Sequence, residues 1–91
     1  MVEIIMYSTR FCPYCISADR LLNRKGVPIN KIAVDHDPDM WATMEKLSGR
    51  STVPQIFIGN YHVGGYDDLA ALERNGKLDP LLGPIPGASL A

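Results

Sequence analysis

The chain has 91 residues, 46% hydrophobic and 21% charged, and its nine Lys and Arg against ten Asp and Glu leave a formal net charge of −1. That length suits one small domain around a single core and argues against a second. The near-neutral balance, with no like-charge run longer than Arg24-Lys25 or Asp67-Asp68, argues against a nucleic-acid-binding face. The apolar stretches are far shorter than the ~20 residues of a bilayer-spanning helix, so no membrane role is expected.

Residues 2 to 7 form an apolar run ending in Ser8, Thr9 and Arg10, which suits a buried strand feeding a loop. Pro13 to about Lys25 reads as a helix, with Cys15, Ala18 and Leu22 on one stripe beside Leu21 and with Asp19, Arg20 and Asn23 outward. Pro13 fits its first position and Gly26 stops it. A second strand is expected over residues 29 to 34. A second helix follows, with Asp37 as N-cap, Pro38 at its first position, Met40, Met44 and Leu47 inward and Gly49 at its end. Residues 55 to 58 and 61 to 63 flank Gly59-Asn60 and predict a hairpin that Gly64-Gly65 breaks. A third helix is expected from about Asp67 to Arg74, closed by Asn75-Gly76. The order β-α-β-α-β-β-α calls for a mixed sheet, the first two strands parallel and the hairpin antiparallel. Residues 83 to 91 lack periodicity and read as a flexible tail.

Chemistry concentrates at Cys12 and Cys15. Their spacing closes too small a loop for a useful structural staple, and this cysteine usage, without a leader-like N-terminus, points to a reducing cytoplasm. Cys12 stands just before the first helical residue, where unpaired backbone N–H groups and the helix dipole favour a thiolate. Cys15 lies one turn later on the core stripe, close enough for a disulfide. The two thiols are therefore unequal: Cys12, at the exposed end, is expected to attack and Cys15 to resolve, with Arg10 available to add positive potential. Two competing readings are an inert buried pair and a zinc site built with His36 and His62. The histidines match no usual ligand spacing and read as surface or hairpin residues.

Cys12-Pro13-Tyr14-Cys15, Thr52-Val53-Pro54 and Gly64-Gly65-Tyr66-Asp67-Asp68-Leu69 lie in register over residues 2 to 82. Together they resemble the motifs of the dithiol (class I) glutaredoxin family, most closely its bacterial glutaredoxin 3 type. The resemblance implies an α/β, thioredoxin-like fold, a four-stranded mixed sheet flanked by helices, with residues 1 to 82 as the domain. It implies a glutathione-dependent thiol-disulfide oxidoreductase that reduces protein disulfides and glutathione mixed disulfides. Glutathione would be the co-substrate, with no metal, and disulfide-containing or glutathionylated proteins the partners of a monomer.

In that resemblance Pro54 would be a cis-proline presenting the Val53 backbone to glutathione, with Thr52 on the same wall. Gly65, Tyr66, Asp67 and Asp68 would receive the γ-glutamyl end at a helix N-terminus. Arg50 would pair with the glycine carboxylate at the other end, and Tyr14 would cover the sulfur region. Two positions depart from the family pattern: Thr9 stands where many relatives carry lysine, and Tyr66 where many carry a further cysteine. Two further readings compete, an iron-sulfur carrier and a redoxin served by thioredoxin reductase. The proline and second cysteine disfavour the former, and the loop motifs disfavour the latter.

Overall fold

The computed structural model describes residues 3 to 83. The elements follow in the order β1 (Ile4–Ser8), α1 (Pro13–Arg24), β2 (Asn30–Ala33), α2 (Pro38–Ser48), β3 (Gln55–Ile58), β4 (Tyr61–Gly64), α3 (Tyr66–Arg74) and α4 (Leu78–Leu82). One four-stranded sheet runs β2-β1-β3-β4; β1 pairs with β2 in parallel and with β3 antiparallel, and β3 pairs antiparallel with β4. This is the mixed sheet the element order calls for.

Alternation along the strands divides the core between the two faces of the sheet. Ile4, Met6, Ile56, Ile58 and Val63 face one side, where they pack with Ala18, Leu21 and Leu22 of α1, Leu69 of α3, and Leu78 and Leu82 of α4. Ile5, Tyr7, Ile32 and Phe57 face the other, against Met40, Trp41 and Met44 of α2. Tyr7 and Phe57 meet there edge to face, centroids 6.0 Å apart. A one-residue slip of β1 would turn both sets the wrong way, so the pattern sets the register as well as the strand.

The helix ends follow local chemistry. The Asp37 carboxylate accepts from the Met40 N–H at 3.1 Å, and Gly49 ends α2 in the left-handed region at φ 72°. In α1 the capping side chain is the Cys12 sulfur, which accepts from the Cys15 N–H at 3.2 Å.

The chain-order reading assigns no element to Leu78–Leu82. Five residues containing Pro80 carry too little pattern to announce a helix, and this one is held by packing: Leu78 and Leu82 are fully buried against the α1 and α3 side of the core. An ion-pair fork fastens it further. Lys25, at the end of α1, reaches Glu73 of α3 at 2.8 Å and Asp79 of α4 at 2.9 Å, and hydrogen bonds to Asp79 and then Glu73 push its ammonium above the usual lysine value. The reading of residues 84 to 91 as a flexible tail lies outside the described residues.

Because Leu78 is a core residue of the sheet's main layer, Leu78→Ala is expected to destabilise the protein by about 2–5 kcal/mol. Urea unfolding should show this as a lower midpoint at unchanged slope; a shift under ~0.5 kcal/mol would place α4 outside the cooperative core.

Candidate functional site

Three loops meet at one end of the sheet: β1 to α1 brings Cys12 and Tyr14, α2 to β3 brings Arg50, Thr52, Val53 and Pro54, and β4 to α3 brings Gly65 to Asp68. Tyr14, Arg50, Thr52, Val53, Pro54, Gly65, Tyr66, Asp67 and Asp68 line a single open groove of about 370 Å³. Every groove residue named from the sequence is gathered into this one depression. Strand ends are where such a site is favoured, since the helices that follow point their free N–H groups the same way.

Of the two cysteines, Cys12 meets the wall of this groove at Val53, while Cys15 lines a separate depression with Met6, Ser8 and Arg10. Cys12 has extended backbone angles, φ −120° and ψ 108°, and turns its sulfur back over the first turn of α1. That sulfur receives the Cys15 N–H and lies 3.9 Å from the Val53 carbonyl oxygen, 41 residues along the chain. The expectation of an exposed Cys12 needs correction. Cys12 is only 8% exposed against 4% for Cys15, because the Val53 loop folds over it. The inequality lies instead in the proton. Burial, a hydrogen bond with Cys12 and the charge on Cys12 together push the Cys15 thiol up to about 12, so Cys15 stays protonated beside the Cys12 sulfur.

The groove wall contains a cis Val53–Pro54 bond. Across from it, the Gly65 N–H donates to the Asp68 carboxylate at 3.0 Å, and Arg50 Nη1 donates to the same oxygen at 3.0 Å. The Gly65 backbone N–H and then the Arg50 guanidinium hold the Asp68 carboxyl below the usual aspartate value. Arg50 and Asp68 were expected at opposite ends of a bound tripeptide; instead they form one ion pair in the wall. Gly64 makes that contact possible: at φ 111°, a β-carbon there would collide with the Asp68 carboxylate and crowd Arg50.

Other side chains depart from their sequence reading. Arg10 pairs with Asp35 at 3.3 Å, so its charge is matched on the far side of β1 rather than free to act on Cys12. His36 occupies a turn at φ 64°. His62 is half-buried, stacked on Phe57 with ring centroids 4.8 Å apart, and bonded to Gln55 at 2.8 Å. Among the described residues, no three His, Cys, Asp or Glu side chains converge as a metal site would require. From the sequence, Gln55 has no role beyond opening the strand over residues 55 to 58. A polar residue opening a strand run signals only an edge, whereas here it is completely buried and donates to Thr52.

Residues 4 to 63 match the glutaredoxin family model. A glutaredoxin of Pseudomonas aeruginosa is 55% identical over 82 residues, covering 90% of this chain and 98% of the relative. Glutaredoxin 3 of Escherichia coli is 48% identical over 82 residues, covering 90% and 99%. Among solved structures, a buckwheat glutaredoxin-glutathione complex superposes with a TM-score of 0.81 at 32% identity, covering 89% of this chain and 76% of the other.

Two outcomes test the site's electrostatics. Burial, the largest cause, still holds the Cys15 proton when Cys12 is replaced, so iodoacetamide at neutral pH should alkylate Cys15→Ser at Cys12 at least ~10-fold faster than it alkylates Cys12→Ser at Cys15, read by mass spectrometry. An Asp68 carboxyl held below the usual aspartate value by the Gly65 N–H and Arg50 stabilises the fold at higher pH and loses that contribution as pH falls through the folded value. The stability advantage of the parent over Asp68→Asn should therefore shrink as pH falls through and below the ordinary aspartate range in urea unfolding; a gap that widens toward acid would contradict the assigned direction.

Proposed function

The chain belongs to the glutaredoxin family, and from that premise we propose that it reduces protein disulfides and glutathione mixed disulfides at the expense of glutathione, with Cys12 and Cys15 as its redox-active pair. Its thiol-disulfide oxidoreductase activity and thioredoxin-like fold come with the family. The observation that carries the finer reading is the groove of about 370 Å³ whose Val53 wall stands 3.9 Å from the Cys12 sulfur. It opens beside the nucleophile and presents strand-like backbone, a cation, a carboxylate and a helix N-terminus. A γ-linked tripeptide with two carboxylates, one ammonium and a thiol is chemically matched to that set.

In the proposed reaction the Cys12 thiolate attacks the glutathione sulfur of a mixed disulfide. A Cys12-glutathione bond forms, the substrate sulfur-glutathione bond breaks, and the substrate leaves as a thiolate that takes up a proton. A second glutathione, as thiolate, attacks the bound glutathione sulfur, releasing oxidised glutathione and restoring Cys12. With a protein disulfide, the Cys12 thiolate attacks one client sulfur; a Cys12-client disulfide forms, the client disulfide breaks, and its other sulfur leaves as a thiolate that takes up a proton. Cys15 then loses its proton, attacks the Cys12 sulfur and expels the second client thiolate. Two glutathiones return the Cys12-Cys15 disulfide to dithiol, forming one oxidised glutathione, whose re-reduction the family assigns to glutathione reductase and NADPH.

The proton on Cys15 gives this order a physical basis. Besides burial, it is held by the hydrogen bond and charge of the Cys12 sulfur. Once Cys12 is in a disulfide, its charge is gone and that part of the hold lapses. Cys15 thus stays silent until there is an intermediate to resolve. In the groove, Val53 would pair its backbone with the tripeptide, Thr52 would line the same wall, and Tyr14 would cover the sulfur region. The start of α3 at Gly65, Tyr66 and Asp67 would take the γ-glutamyl carboxylate, Asp68 the α-amino group, and Arg50 a carboxylate. A monomer acting in a reducing cytoplasm is consistent with this use of glutathione.

NADPH-coupled reduction of hydroxyethyl disulfide by glutathione and glutathione reductase tests the reading. Cys12→Ser should fall to background, while Cys15→Ser should stay within about threefold of the parent on this substrate yet lose turnover of a protein disulfide. A parent no faster than background would overturn the dependence on glutathione, and equal loss in both variants would overturn the division of labour.

A further inference from the structure

Gln55 is completely buried at the start of β3, and all of its side-chain bonds run along one line. Its Nε2 donates to the Thr52 carbonyl oxygen at 3.0 Å and meets Thr52 Oγ1 at 3.2 Å. Its other amide atom meets His62 Nε2 at 2.8 Å. A carbonyl can only accept, so the atom facing Thr52 is the amide nitrogen and the one facing His62 is the oxygen. That oxygen can only accept in turn, so His62 donates through Nε2. The imidazole is kept neutral by burial first and by the nearby Arg50 second, with Asp68 opposing, and its proton is therefore assigned to Nε2 by the network rather than by choice.

The same logic reaches the groove. Thr52 Oγ1 accepts from Gln55, which leaves the hydroxyl hydrogen free to donate, and Thr52 is a groove-lining residue. We propose that His62 is a positioning residue for glutathione binding: through Gln55 it holds the Thr52 carbonyl and hydroxyl, setting the wall before Pro54 and presenting Thr52 as a hydrogen-bond donor to the ligand. His62 itself lines no part of the groove and touches no cysteine. Its stacking on Phe57 keeps the ring in place for that bond.

This inference rests on glutathione as the ligand, but its consequences for the loop do not. Two substitutions separate the hydrogen bond from packing. His62→Phe keeps a ring on Phe57 and removes the donor, leaving the buried Gln55 oxygen unpaired; His62→Gln loses the ring and keeps a donor at similar reach. For a glutathionylated peptide with glutathione and glutathione reductase, His62→Phe is expected to raise KM about 5- to 10-fold with kcat within twofold, while His62→Gln stays near the parent. Gln55→Leu should resemble His62→Phe, and the double variant should be no worse than either alone, as members of one network are non-additive. Alkylation of Cys12 by iodoacetamide should be the same in all of them.

Backbone amide exchange at Thr52 and Val53 supplies the arm that needs no glutathione. It should quicken in His62→Phe and not in His62→Gln. If the ring matters only for packing, His62→Gln will be the damaged variant in both measurements, and the positioning role is overturned; equal KM and equal exchange in all variants overturn it as well. A parent that turns over no glutathione substrate, with loop exchange following the donor as expected, would remove glutathione as the ligand while upholding the control of Thr52 by His62.

Discussion

The interaction on which the rest depends is the backbone N–H of Cys15 donated to the sulfur of Cys12 at 3.2 Å. A serine or aspartate usually fills the N-cap position; here a sulfur does. The residue that caps α1 is thereby also the proposed nucleophile, and capping the helix and stabilising a negative sulfur would be one interaction. Pro13 suits the arrangement because its missing N–H belongs to a position that has no intrahelical partner. Cys15 follows at the spacing where its N–H reaches the Cys12 sulfur, and burial first, with the neighbouring Cys12 second, raises its proton affinity.

Everything else in the site depends on where the sheet ends. β1 delivers Cys12, and the antiparallel pairing of β1 with β3 sets Gln55 opposite Tyr7, so the loop carrying Thr52, Val53 and Pro54 arrives beside the cysteine. β4 pairs with β3 through an irregularity between Ile56 and Phe57, then turns at Gly64 into α3. Gly64 lets Arg50 and Asp68 meet across that junction. The pair is about half exposed, so its contribution to stability is small; its importance is that it sets two opposite charges at fixed positions in a groove that suits a zwitterion. On the other side of the molecule, Lys25 joins α1, α3 and α4 and keeps the helix that begins at Cys12 packed against the layer that α3 completes.

The surroundings of Cys12 combine shelter and access. Its sulfur is covered by the Val53 loop, yet Phe11 before it is 91% exposed and Tyr14 after it is also exposed. Ile16, Leu47 and Tyr61 are exposed as well, Leu47 against the expectation that it faces inward on α2; Phe11 is the most exposed of these and stands next to Cys12 in the chain. Shelter from water strengthens the hydrogen bond that the Cys12 sulfur accepts from the Cys15 N–H.

Much of this was legible in the residues alone. Pro13, Asp37-Pro38, Gly49 and Gly59-Asn60 mark their elements by local chemistry that neighbours do not change, and the alternation along β1 and β3 assigns each strand two faces. Cys12 directly before Pro13 is placed at a helix start for the same reason, and the structure has it there as the N-cap. The groove residues were readable as three motifs in register, but their convergence is a property of the sheet. What only the tertiary structure decided depends on contacts between residues far apart in sequence. Arg50 faces Asp68, Arg10 is taken up by Asp35, the Val53 loop buries Cys12, and five residues around Pro80 become a helix because Leu78 and Leu82 have a core to enter. Gln55 and His62 illustrate the limit most clearly. Alone, each is a polar residue on a hairpin; the β3-β4 pairing brings His62 onto Gln55, which in turn reaches Thr52, and no local periodicity encodes a bond that runs between strands.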